Sequence, residues 1–122
     1  MIKKILFLYL LLPVFLTSCS YMPDGKGCLV VESDSDDYTI KEVYARKAGE
    51  AVWRIVWSAS SSSIDWTYAN IYLDPGDYYV RAKMCWAGKF YTIDSTGFAA
   101  VCIKEGETTF LYARLESQYF YQ

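Results

Sequence analysis

The reactive side chains in this sequence are four cysteines, at positions 19, 28, 85 and 102, and fourteen carboxylates, and histidine is absent. Without an imidazole there is no Ser–His or Cys–His nucleophilic pair, no histidine general base and no histidine metal ligand. The cysteines show neither C-x-x-C nor any other metal-site spacing. Hydrolysis through two carboxylates stays open in principle. No pair is singled out by position, however, and one small domain leaves little room for a cleft. Asp34, Asp36 and Asp37 cluster in one polar stretch. Oxygen-rich loops can hold calcium, but the longer ligand spacing and closing Glu of an EF-hand are missing. A solvated turn is the expectation there, as it is for Asp74 and Asp77, and no metal or cofactor is expected.

Cys19 differs from the other cysteines in what precedes it. Met1-Ile2-Lys3-Lys4 is a short basic start, residues 5–16 carry no charge, and Thr17-Ser18 leads into the cysteine. That is the layout of a secretory signal. The apolar run is shorter than the roughly 20 residues a transmembrane helix needs, and Pro13 interrupts it. Leu16-Thr17-Ser18-Cys19 resembles the lipobox of bacterial lipoproteins, an aliphatic residue and two small ones before a cysteine. The resemblance implies that the Cys19 thiol takes a diacylglycerol, that cleavage follows residue 18, and that the freed amine is acylated, so labelled palmitate would report it. Several acyl chains anchor firmly where one holds only marginally. Ser20, in place of Asp, implies sorting to the outer membrane, facing the periplasm or the cell surface. The alternative is an ordinary secreted protein cut nearby, with Cys19 incidental.

The chain then divides into a signal peptide (1–18), a lipidated tether (19–26) and one domain (27–122). Pro23 and Gly25 keep the tether irregular. Removing Lys3 and Lys4 leaves ten basic residues against fourteen acidic, a net charge of −4. No basic patch stands out, which argues against nucleic acid as a partner.

Possible ligand-binding residues come from one alternating run. Thr67, Ala69, Ile71 and Leu73 fall on one face of a strand, and Trp66, Tyr68, Asn70 and Tyr72 on the other. With the Leu73 face in the core, the other is an aromatic stripe with one amide. Such a stripe suits stacking on sugar rings or a protein interface. The competing expectation is that the rings pack against a neighbouring strand.

The elements that must position these residues are strands. The mature part is rich in Tyr, Trp and β-branched residues and shows no helical periodicity. Short β-prone runs alternate with turn residues every eight to twelve positions. An all-β fold is expected, a single antiparallel β-sandwich of seven to eight strands. Its core should include Leu29, Val31, Trp53, Ile55, Leu73, Tyr78, Val80, Val101 and Leu111. Leu73-Asp74-Pro75-Gly76-Asp77-Tyr78-Tyr79-Val80 resembles the L-x-P-G-x-Y-x-V hairpin of transthyretin-like and carboxypeptidase-regulatory-like sandwich domains. The resemblance implies a tight turn with Gly76 at positive φ, and it carries no catalytic residue. An exported chain permits disulfides, and Cys85–Cys102, on successive strands, is the favoured bridge.

The expected function is a non-enzymatic, membrane-anchored envelope lipoprotein that binds a partner protein, envelope polymer or glycan. A structural spacer without its own ligand is the alternative, and a small carboxylate-dependent hydrolase is a more distant one.

Overall fold

A computed structural model describes residues 22–59, 66–95, 100–114 and 118–122. Cys19, the signal segment, the start of the tether and the serine-rich stretch after residue 59 lie outside the described residues. Nine strands are described: β1 (Gly27–Ser33), β2 (Thr39–Lys47), β3 (Arg54–Ser58), β4 (Tyr68–Leu73), β5 (Gly76–Trp86), β6 (Lys89–Asp94), β7 (Val101–Ile103), β8 (Thr108–Arg114) and β9 (Tyr119–Tyr121). They form the expected all-β sandwich. One sheet has the order β4-β1-β8-β9; the other runs β3-β2-β5-β6, with β7 also on β5. The pairing is antiparallel except between β1 and β8, which run parallel. The second sheet is inserted between them in the sequence and supplies the long connection a parallel pair requires.

Period-two patterning builds the core. Leu29, Val31, Ile71, Leu73, Leu111 and Phe120 from the first sheet meet Ile40, Val43, Val80, Met84, Ile93 and Ile103 from the second. Burying each such side chain contributes about 1.5–3 kcal/mol before entropy is counted. Gly27 begins β1 because a Cβ there would run into the Lys104 carbonyl and the Ile103 side chain.

β6 and β7 share one edge of β5. Asp94 pairs with Arg81, and Val101 pairs with Tyr78 further along. Between them the ladder is patched by a side chain: the Val80 amide donates to the Ser95 hydroxyl at 2.6 Å. Ser95 is buried, so its oxygen replaces a strand partner the amide would otherwise lack.

Three expectations are corrected. First, Trp53 and Ile55 are not core residues. On β3 the register passes from Ile55 opposite Tyr44 to Trp57 opposite Val43, so Val56 is an extra residue at a β-bulge. The bulge inverts the alternation. Trp57 packs on the core, while Ile55 is 59% exposed on the far face. Second, Asp74-Pro75-Gly76 is not a hairpin turn. β4 and β5 belong to different sheets, and the segment carries the chain across the sandwich. Gly76 has φ +153°, well away from the roughly +80° of a type II turn. Third, β9 is a strand beyond the expected eight.

Candidate functional site

The outer face of the first sheet is organised in rungs across its strands. Tyr68 pairs with Glu32, which pairs with Tyr112, which pairs with Tyr121. Asn70, Val30 and Phe110 form the next rung, and Tyr72, Cys28 and Thr108 the third. Adjacent strands lie about 4.8 Å apart, so the rungs bring these side chains side by side across the sheet. β4 alternates strictly: Ala69, Ile71 and Leu73 are buried and Tyr68, Asn70 and Tyr72 are exposed. Phe110 joins them at 40% exposure. On β1 the outward residues Cys28 and Val30 are buried, with the exposed rings of β4 to one side of them and Phe110 of β8 to the other.

Three of the rings stack in succession. Phe110 and Tyr112 stack with centroids 6.5 Å apart and planes 13° from parallel. Tyr112 and Tyr121 stack at 5.4 Å and 24°. Rings stacked on one another have their faces engaged and offer edges and hydroxyls outward. That arrangement suits the mixed contacts of a protein interface better than the flat ring a sugar needs. Arg114 adds a guanidinium 5.0 Å from the Tyr121 ring centre.

Of the four residues expected on this face, Tyr68, Asn70 and Tyr72 are on it and Trp66 is not part of the strand. Trp66 precedes β4 and stands between the sheets. It meets Trp57 of the second sheet edge-on at 6.2 Å and 86°, and Tyr68 of the first at 6.2 Å and 83°. Its carbonyl accepts the Ile40 amide at 2.7 Å. The indole Nε1 is buried without a hydrogen-bond partner among the described residues. Trp66 is a seam between sheets. Phe110, Tyr112 and Tyr121 complete the face and went unnoticed in the sequence. The alternation Thr108-Phe110-Tyr112-Arg114 was legible, but nothing in it shows that β8 lies beside β1.

The expected Cys85–Cys102 bridge is also corrected, since both thiols are free. Cys102 sits opposite Asp77 at the start of β5, and Cys85 sits opposite Phe90 near its end. The span from Asp77 to Cys85 is roughly 26 Å at about 3.3 Å per residue, whereas bridged cysteines need Cα atoms within about 7 Å. Cys28 is fully buried and is not one of the free thiols.

Four of the carboxylates, Asp34, Glu42, Asp74 and Asp94, enter ion pairs. Asp34 accepts from Arg114 Nε at 2.9 Å, Asp74 from Lys26 Nζ at 2.7 Å, and Asp94 from Arg81 at 2.8 and 3.1 Å. Among the described residues no cluster of three metal-ligating side chains occurs. On the outer face of the second sheet, Trp53 lies beneath Arg46 at 5.3 Å and Arg81 at 4.3 Å, which is where the β3 bulge leaves it.

Compared with known proteins, the chain matches no family model, no curated protein and no solved structure.

Proposed function

We propose that this chain is a non-enzymatic envelope lipoprotein, anchored through acylated Cys19 in the outer membrane, whose sandwich binds a partner protein through the outer face of the first sheet. The observation that carries the binding reading is the exposure of Tyr68, Tyr72 and Phe110 on the outer face of the first sheet. Exposed aromatic side chains gathered on one face mark contact sites, and Tyr, Phe and Arg are the residue types that interfaces favour. The lipobox and its basic, apolar lead-in support the anchor. The absence of histidine from the sequence and the use of Asp34, Asp74 and Asp94 in ion pairs support a non-enzymatic role.

The test is affinity capture from detergent-solubilised envelope with the acylated protein as bait, beside a Tyr72→Ala/Phe110→Ala variant. A partner captured by the wild type and lost from the variant, with unchanged circular dichroism, is the expected result. A partner retained in full by the folded variant overturns the assignment of this face.

A further inference from the structure

β3 and β4 are edge strands of different sheets, and they lie on the same side of the sandwich. Below the Trp57–Trp66 seam their edges part, leaving a cleft of about 310 Å³ between the sheets. Its apolar wall is made by Val52, Val56 and Leu73, and its polar lining by Lys26, Lys47, Glu50, Arg54 and Asp74. Lys26 and Asp74 neutralise each other at 2.7 Å. Lys47 and Arg54 are both exposed, and among the described residues neither enters an ion pair. Glu50 is the single remaining acidic group in the lining. The cleft is therefore cationic by one charge on a domain that carries a net negative charge. Val52, 58% exposed beside these cations, gives the opening an apolar lip.

We infer that this cleft is a binding site for a phosphate group, presented by an anionic lipid headgroup or by a free phosphate. Arg54 supplies a planar fork of donors matched to phosphate oxygens, and Lys47 supplies a mobile point charge. The apolar wall fits the glycerol and first methylenes of a lipid. Location favours the lipid source, a point that rests on the lipoprotein reading. Lys26, at the end of the tether, lines the cleft and lies seven positions after Cys19. At no more than about 3.6 Å per residue, it stays within about 25 Å of the anchor, which lets the opening approach the headgroups.

The experiment uses the full chain in neutral detergent, with binding read by isothermal titration calorimetry. The ligands are dihexanoyl phosphatidylglycerol, dihexanoyl phosphatidylcholine and inorganic phosphate. Saturable binding of the anionic lipid is expected, weakened about tenfold or more by Lys47→Gln/Arg54→Gln and strengthened by Glu50→Gln. Equal binding of inorganic phosphate supports the site and assigns free phosphate as the source. Absence of saturation by either anion, or a double variant that binds as the wild type does, overturns the proposal. All three substituted side chains are exposed, and circular dichroism checks that the variants fold. Palmitate labelling of the same preparation separates the two readings. Unlabelled protein that still binds anions refutes the anchor alone.

Discussion

The Tyr78 hydroxyl donates a 2.7 Å hydrogen bond to the Asp74 carbonyl, four residues back in the chain. The two residues bracket the point where the chain leaves the first sheet for the second. The contact has the logic of the tyrosine corner of immunoglobulin-type sandwiches, a ring in the core and its hydroxyl tied to backbone at a corner. Burial, followed by the Asp74 charge, raises the Tyr78 pKa above its usual value, so the hydroxyl remains a donor across the physiological range. Tyr78→Phe keeps the ring and removes one bond. The expected cost is about 1 kcal/mol, seen as a fall of roughly 4–8 °C in melting temperature for a domain of this size. An unchanged melting curve would show that the corner holds without it.

The Asp74 side chain faces the other way, to Lys26. The hydrogen bond and charge of Lys26, with a smaller contribution from Lys47, hold the Asp74 carboxyl below the ordinary carboxylate range. A depressed folded-state pKa contributes stability that is present above the unfolded pKa and lost as pH falls through the folded one. The effect is therefore confined to the acid side of the carboxylate range, and it is small because the pair is solvated. In a carboxyl-carbon NMR titration Asp74 should titrate below other exposed aspartates. Lys26→Gln should return it toward them. An Asp74 indifferent to that substitution would mean the ion pair is not populated in solution.

What the sequence made legible follows from what period two can and cannot report. Leu29, Val31, Leu73, Val80, Val101 and Leu111 were placed in the core by alternation, and the structure buries each of them. Trp53 and Ile55 were misplaced by the same rule, because one extra residue at Val56 reverses every face beyond it and a bulge has no reliable signature in a single chain. Pairing between distant strands was equally hidden. Nothing local announces that Cys28 lies opposite both Tyr72 and Thr108. Three of the five rings on that face, Phe110, Tyr112 and Tyr121, were therefore invisible. The Pro-Gly pair correctly marked a change of direction, but a turn within a sheet and a crossing between sheets use the same residues.

The cysteines give the anchor a test of its own. A thioether to diacylglycerol and a Cys19–Cys28 disulfide would consume the same sulfur, so they exclude each other. The lipoprotein reading expects Cys19→Ala to abolish palmitate incorporation and to leave an uncleaved or soluble protein. Cys102 is exposed and Cys85 is half-buried, so both should react with a maleimide under native conditions, Cys102 faster. Non-reducing peptide mapping that recovers a Cys19–Cys28 cross-link from the mature protein would overturn the lipid assignment. Recovery of a Cys85–Cys102 cross-link would contradict the β5–β7 register.

The aromatic residues near β4 separate into those that hold the sandwich together and those free to meet a partner, and substitution should sort them. Trp66 touches Trp57 on one sheet and Tyr68 on the other, so its ring is one of the ties across the open side of the sandwich. Trp66→Ala should cost roughly 2–4 kcal/mol, through lost burial and two lost edge-to-face contacts. Trp66→Phe should cost much less. It retains an aromatic ring, and it deletes an indole N–H that is buried without a partner among the described residues, a group whose desolvation is an expense in the wild type. Tyr72 and Phe110 are 37% and 40% exposed and point away from the core. Replacing both with alanine should change stability by no more than about 1 kcal/mol, as substitutions outside the core usually do. Chemical denaturation of the four proteins decides the matter. A harmless Trp66→Ala together with an unfolded Tyr72→Ala/Phe110→Ala would invert the assignment, making Trp66 the available ring and the sheet face a packing surface.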